Sequence, residues 1–573
     1  MIWLLTFLLP IVLALVMPFL RGGPVARGTL LAAAALPAVA LAWIARDAPP
    51  VHFDPLMLGA DFALDPFRRM LLAFTSLLWA AAGWHAGRYF ATDPLRKQFD
   101  SFFLFSMAGN FGVLIAADAV TFYGFFVLMT LSVHGLIMHD RGREALHAAK
   151  VYWYMAIGGE VLLLGGLLLA VHEAGTISLE PLGAAVADSP KRDLIVALAL
   201  SGFGVKVGIL PLYFWLPLAH TVAPTPASAV LSGAMLKAGL VGWVHILPLG
   251  HASMPVWSGI MIGLGVAGAF TGAAIGFLQS HPKTVLAYSS VSQMGIMTAI
   301  TGTALASREA WPAVMPVLAL YACVHGLAKG ALFLESAELQ WQAGGTRRML
   351  AALAFLPALA IAGAPPTGGF AVKDAFKKLS LELDGFWGDA LPHLLPFASL
   401  ATTLVLGRFL WTSARGGLKI HPPHPATLIL LAAALAVPFA ANQTFEAGIA
   451  FPDASWQVWR DALWPVLAGV VLLVLLVRKR GIPGWSTPPV PPGDLVVPLE
   501  KWFAITARAI RSRRRTRLPD EALNIVRLFD RIIAFEAARS WVERAEARLE
   551  TWLWVGVSLA AAILALSLLF LVF

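Results

Sequence analysis

Long unbroken apolar runs, such as 466–477 and 553–573, dominate this sequence and limit what the chain can become. Inside a bilayer every backbone N–H and C=O must find a partner within the protein, which leaves helices and closed barrels as the spanning forms. Barrel strands read as short alternating segments with polar lumen residues, and these runs do not alternate. Of 573 residues, 58% are apolar and only 13% are charged, about half the charge of an ordinary soluble protein. That composition excludes a soluble globular chain. It supplies apolar residues for on the order of 16 helical spans at roughly 20 residues each, so the expected class is an all-α polytopic membrane protein.

Apolar windows fall near 1–20, 28–45, 66–86, 100–118, 120–138, 149–171, 193–216, 224–247, 255–278, 285–304, 312–334, 350–372, 390–412, 426–446, 462–478 and 552–573. They give about 16 spans. The first twenty residues lack a basic leader and a small-residue cleavage site, and so read as a first span. Loops 21–27, 87–99, 139–148, 279–284, 335–349, 413–425 and 479–551 carry Lys and Arg, while 46–65, 172–192 and 447–461 are acidic or mixed. Basic loops stay cytoplasmic, which predicts both termini on the non-cytoplasmic side. Segment 479–551 reads as a Pro-rich linker followed by amphipathic helices over 499–518 and 520–549, a lateral segment before the last span.

One cysteine, Cys323, sits in an apolar run. A lone thiol supplies no disulfide framework and no CxxC metal or iron–sulfur ligand set. No metal or cofactor site is expected in the chain. The net charge of +9 lies largely between 478 and 517 and in short loops, which fits an anionic lipid surface or an acidic partner rather than nucleic acid.

Ionisable residues at membrane depth cost a few kcal/mol each and mark ion or proton paths by default. Here they are Glu160, Lys206, Lys237, His325, Lys329 and Lys373, with His134, His220, His245, Asp374 and Arg408 as further members. Burial disfavours a charged ammonium and a nearby carboxylate restores it, so a buried lysine beside an acid can switch charge. His325 and Lys329 are four apart, one above the other on a helix face, where a single water would link them. The alternative for each residue is a packed polar group paired once. Two spans are also interrupted, one by Pro211 and Pro217 after Lys206, the other by Pro365 and Pro366 before Lys373. They are the seventh and twelfth spans, five apart, so they cross in opposite directions, the pattern of an inverted-repeat transporter with its ion path at the repeat interface.

The stretches carrying these residues resemble a known family. Trp215-Leu-Pro-Leu-Ala-His220-Thr-Val-Ala-Pro224-Thr-Pro226, leading to Lys237, is similar to the signature of antiporter-like subunits shared by respiratory complex I, energy-converting membrane-bound hydrogenases and Mrp-type cation/proton antiporters. Lys283-Thr-Val-Leu-Ala-Tyr288-Ser289-Ser290, His325-Gly-Leu-Ala-Lys329 and Gly363-Ala-Pro365-Pro366-Thr-Gly-Gly369-Phe370-Ala-Val-Lys373-Asp374 extend the likeness over about residues 60 to 410. Sixteen spans with a lateral segment resemble the large distal subunit of that group.

The resemblance implies that Lys206 is the central lysine, Lys237 the next relay lysine, His325 and Lys329 the connecting pair, and Lys373 the exit-side lysine. It also implies proton movement driven by a redox partner or exchanged for sodium, within a complex of other membrane subunits in a bacterial inner membrane. One position departs. The family places a glutamate on the fifth span where this chain has Val127, and Glu160 on the sixth span is the substitute expected to partner Lys206. The organisation expected is 1–99 as N-terminal spans, 100–247 and 248–412 as two antiporter-like repeats, 413–478 as C-terminal spans, 479–551 as the lateral segment and 552–573 as the terminal span. Two other readings stay open: a non-conducting scaffold, motivated by Val127, and a subunit coupled to solute uptake.

Overall fold

A computed structural model of the chain describes residues 1–45, 48–54, 59–341, 344–413, 423–445, 448–449, 452, 455–480 and 490–494. The amphipathic helices expected over 499–518 and 520–549, the sixteenth span and the basic residues Arg415 and Lys419 lie outside the described residues. Twelve helices among the described residues are long and apolar enough to cross a membrane.

The N-terminal helices are α1 (Ile2–Val16), α2 (Pro24–Ala33) and α3 (Leu36–Trp43), with a hairpin of β1 (Val51–Phe53) and β2 (Ala60–Phe62) before α4 (Pro66–Tyr89). Then follow α5 (Arg96–Ile115), α6 (Ala119–Ile137), α7 (Arg143–Ala174), the short α8 (Leu182–Asp188), α9 (Arg192–Val207), α10 (Trp215–Val222), α11 (Thr225–Val230) and α12 (Lys237–Ile246). The remainder is α13 (Pro255–Phe277), α14 (Pro282–Thr303), α15 (Trp311–Trp341), α16 (Gly344–Ala362), α17 (Gly368–Leu381), α18 (Phe386–Ser413), α19 (Pro425–Thr444) and α20 (Trp456–Arg480). Helices α2 with α3, and α11 with α12, each combine into one such stretch. Fifteen of the sixteen apolar windows fall on helices.

Several helix starts follow from capping chemistry. Asp65 caps α4 by accepting from the Arg68 N–H at 2.8 Å, Asp118 caps α6 by accepting from Thr121 N–H at 2.8 Å, and Thr367 caps α17 through the Phe370 N–H. Each side chain satisfies one of the N–H groups that a helix start leaves orphaned.

The connections 51–62, 116–118 and 177–179 lie together. The hairpin pairs Val51 with Phe62, an isolated bridge joins Phe62 to Ala116, and another joins Asp118 to Ser178. Asp118 also accepts from the Asp61 N–H at 2.9 Å, so one buried carboxylate ties two connections to the start of α6.

Two basic-loop assignments change with the tertiary structure. Arg27 is not a loop residue: it lies on α2, buried, and pairs with the buried Asp100 on α5. Segment 335–341 is not loop either, because α15 continues to Trp341 with Glu335 and Glu338 fully buried. A charged pair inside the bundle looks like loop composition in a window of sequence, since its partner comes from a distant helix.

Candidate functional site

At the end of α9, Gly208 adopts φ +76° and stops the helix, a conformation that costs a side chain about 1–2 kcal/mol and glycine little. The chain resumes as α10 at Trp215. Pro211 lies in the break, whereas Pro217 sits in the first turn of α10, where its missing N–H has no helical partner to lose. The break frees backbone carbonyls, and the indole N–H of Trp215 reaches back to the Val205 carbonyl at 2.8 Å. Lys206 thus stands in the last turn before a break whose frayed end is held by a side chain from the far half.

The twelfth span repeats this plan. Gly363 at φ +86° ends α16, Pro365 and Pro366 occupy the gap, and α17 begins at Gly368. The ammonium of Lys373, on α17, donates to the freed Ala362 carbonyl at 2.8 Å and to Ser399 Oγ on α18 at 3.1 Å. Both broken spans therefore set a lysine beside the break.

Around Lys206, whose side chain is 5% exposed, the ammonium donates to Thr130 Oγ1 at 3.1 Å. It lies 5.4 Å from the ring centre of Phe126 and 6.0 Å from that of Tyr152, positions in which an aromatic face favours a cation. Tyr152 in turn donates to the Thr130 carbonyl at 2.9 Å. Thr130, Glu160, Lys206 and Trp215 line one cavity, which offers about 20 Å³ to the centre of a water molecule, the space one water needs. Both carboxylate oxygens of Glu160 are covered and accept no hydrogen bond from protein. A carboxylate and an ammonium lining a cavity with room for one water can exchange a proton through that water. Val127 is one turn before Thr130 on α6, and the acid that shares the cavity with Lys206 is Glu160 on α7.

Between the two breaks lies a direct contact. Residues Leu231–Met235 form a π-helical turn, which widens the helix and releases carbonyls from the i−4 pattern. Lys237 uses this: its ammonium donates to the Ser232 carbonyl at 2.7 Å and meets His325 Nδ1, on α15, at 2.8 Å. Lys329, one turn on from His325, donates instead to the Leu286 carbonyl at 2.8 Å and to Ser289 Oγ on α14. His325 and Lys329 thus each have a direct attachment of their own, on different neighbouring helices. His325 faces α12 and Lys329 faces α14, because each ring or ammonium takes the acceptor its neighbouring helix provides.

From His325 toward Lys373 runs a narrow cleft lined by Gln293, Tyr321, His325 and Lys373. In this conformation it is too tight for a water. Its wall is hydrogen-bonded: Tyr321 donates to Gln293 Oε1 at 2.8 Å, and Gln293 donates to Thr402 Oγ1 at 3.0 Å, one turn of α18 from Ser399. Proton passage along this stretch requires the cleft to widen.

The remaining candidates are dispersed. His220 on α10 is fully buried and stacks on Phe333 at 4.8 Å. His245 closes α12 near Phe122, close to Asp65 and Arg68 at the capped start of α4, away from Lys237. Asp374 pairs with Lys378 at 2.8 Å, and Arg408 donates to the Gln279 carbonyl at 2.9 Å, anchoring the turn between α13 and α14. His134 packs on Trp153. Among the described residues no group of His, Cys, Asp and Glu is arranged to hold a metal ion.

The family model described as NADH:quinone oxidoreductase/Mrp antiporter, TM, matches residues 116–388. Those residues, just under half of the chain, are similar to the membrane module that this family model describes. Hydrogenase-4 component B of Escherichia coli K12 is 28% identical over 348 residues, which are 57% of this chain and 51% of that protein. NADH-quinone oxidoreductase subunit N of Desulforudis audaxviator is 29% identical over 380 residues, 61% of this chain and 73% of that protein. A structure of the Mrp complex from Dietzia sp. DQ12-45-1b shares the fold, with a TM-score of 0.68 at 22% identity over 94% of this chain and 63% of that one. The chain thus spans about half the length of the hydrogenase component. Both broken spans and every residue from Lys206 to Lys373 fall inside the matched module, and the chain is a multi-pass membrane protein.

Proposed function

We propose that this chain moves protons across the membrane as an antiporter-like subunit of a larger complex, along Lys206, Lys237, His325, Lys329 and Lys373, with Glu160 as the acid that sets Lys206. The observation that carries the reading is the 2.8 Å contact of Lys237 with His325, fully buried and lying between two broken spans that each present a lysine. A structural role would be met by one capped polar group per site. A row of lysines on carbonyls, hydroxyls and an imidazole, with a one-water cavity at one end, is instead a set of exchangeable donors.

The repeats proposed are 100–247 and 248–412. Each holds five spans, and in each the fourth is the broken one. An odd number of spans inverts the second repeat, so the two breaks approach from opposite faces. The placement of basic loops supports a cytoplasmic membrane with the N-terminus on the non-cytoplasmic side. The C-terminus lies outside the described residues.

Each proton moved against 100 mV needs about 2.3 kcal/mol. The energy comes from partner subunits, by redox coupling or by exchange with a cation such as sodium. The test is proton flux in proteoliposomes carrying the intact complex. Lys206→Ala and Lys373→Ala should each abolish flux with assembly unchanged, and normal flux in both variants would defeat the reading.

A further inference from the structure

The cleft shared by His325 and Lys373 is walled by a chain of hydrogen bonds between side chains that the lysine row does not use. Gln293 lies in the middle of α14, Tyr321 is on α15 one turn before His325, and Thr402 is on α18 one turn after Ser399, which accepts from the Lys373 ammonium. All three are buried. Tyr321 donates to Gln293 Oε1 at 2.8 Å, Gln293 Nε2 donates to Thr402 Oγ1 at 3.0 Å, and the Thr402 O–H donates to the Ala398 carbonyl at 2.7 Å. Since the threonine proton is given to its own helix, its oxygen is left to accept, which fixes the direction of the amide. One amide on α14 therefore ties α15 to α18.

His325, Lys373, Gln293 and Tyr321 line the same cleft. Nδ1 of His325 is engaged by Lys237, while its Nε2 is buried and makes no hydrogen bond to another protein group. The polar groups around the cleft, namely His325 Nε2, the Tyr321 hydroxyl, the Gln293 amide and the Lys373 ammonium, are of the kind and number that hold a buried water. Space is what the cleft lacks in this conformation. An amide neither takes up nor releases a proton at ordinary pH, so Gln293 cannot itself stand in for a relay group.

We propose that Gln293 is a positioning residue that latches this cleft shut, so that water joins His325 to Lys373 only when its hydrogen bonds to Tyr321 and Thr402 are released. The latch deepens the conducting reading above and rests on it. It acts on passive passage: with the amide in place the two ends of the row are kept apart, and a proton does not run back through them when the partner subunits are idle. A net hydrogen bond is worth about a fivefold change in an equilibrium, so losing both favours the open cleft by about thirtyfold.

The test uses the full chain in its complex, in proteoliposomes, and follows the decay of an imposed pH gradient with no redox or cation substrate supplied. Gln293→Ala should speed that passive decay by about thirtyfold. Thr402→Val cuts the latch at its α18 end while keeping the shape of the side chain, and should speed it by about fivefold. Thr402→Ser retains the hydroxyl and should decay as wild type. Adding Lys373→Ala to Gln293→Ala should return the decay to the wild-type rate, because the leak runs through the row; a loosened fold would leak regardless of Lys373. Wild-type decay in an assembled Gln293→Ala complex overturns the latch, and so does a leak that survives Lys373→Ala. Where Gln293→Ala does not assemble, wild-type decay in Thr402→Val overturns it. Driven flux in Lys206→Ala and Lys373→Ala separates the two ideas. If both variants stop driven flux while the latch variants do not leak, only the latch is wrong; if both leave driven flux unchanged, conduction itself fails.

Discussion

Replacing Glu160 by Gln removes one negative charge from the cavity it shares with Lys206 and keeps the shape of the side chain. A carboxylate and an ammonium bridged by one water are about 5 Å apart. At an effective dielectric constant of about 20, their attraction is about 3 kcal/mol. That energy separates the charged and neutral forms of Lys206, so its loss changes their ratio by about a hundredfold. Thr130 still accepts from the ammonium at 3.1 Å, but a hydroxyl cannot take the proton away. Flux measured by quenching of a pH-sensitive dye in proteoliposomes should fall by about a hundredfold, with assembly intact by gel filtration. Adding Val127→Glu to that variant puts an acid one turn from Thr130, where the family resemblance places one, and should restore part of the flux. Wild-type flux in Glu160→Gln alone would refute the reasoning and remove Glu160 from the path.

His325→Ala cuts the contact between Lys237 and α15 and should stop flux by about a hundredfold or more, as loss of a positioned proton-transfer group does, while leaving the complex assembled on native gels. Gly369→Ala should reduce the yield of folded protein in fluorescence-detected gel filtration. A β-carbon there would overlap the Ala360 carbonyl oxygen, whereas one at Gly158 meets nothing within 4 Å, so Gly158→Ala should behave as wild type.

Class, span order and the presence of lysines within the spans were legible in the sequence, because each follows from local chemistry. An apolar run of about 20 residues can only be a span, an ionisable side chain inside it is costly, and proline with glycine in mid-span breaks a helix. Partnership was not legible. That Lys237 meets His325 and not Ser289, that Lys206 rests on Thr130, that Arg27 pairs with Asp100 and that Glu335 lies buried beyond the expected end of its span all depend on which helices pack together. His325 and Lys329 make the point most sharply. Spacing put them on one face, and the bundle then gave each a different neighbour, since a hydrogen bond is satisfied by the nearest acceptor in space and the helices that supply it lie tens of residues away in the chain.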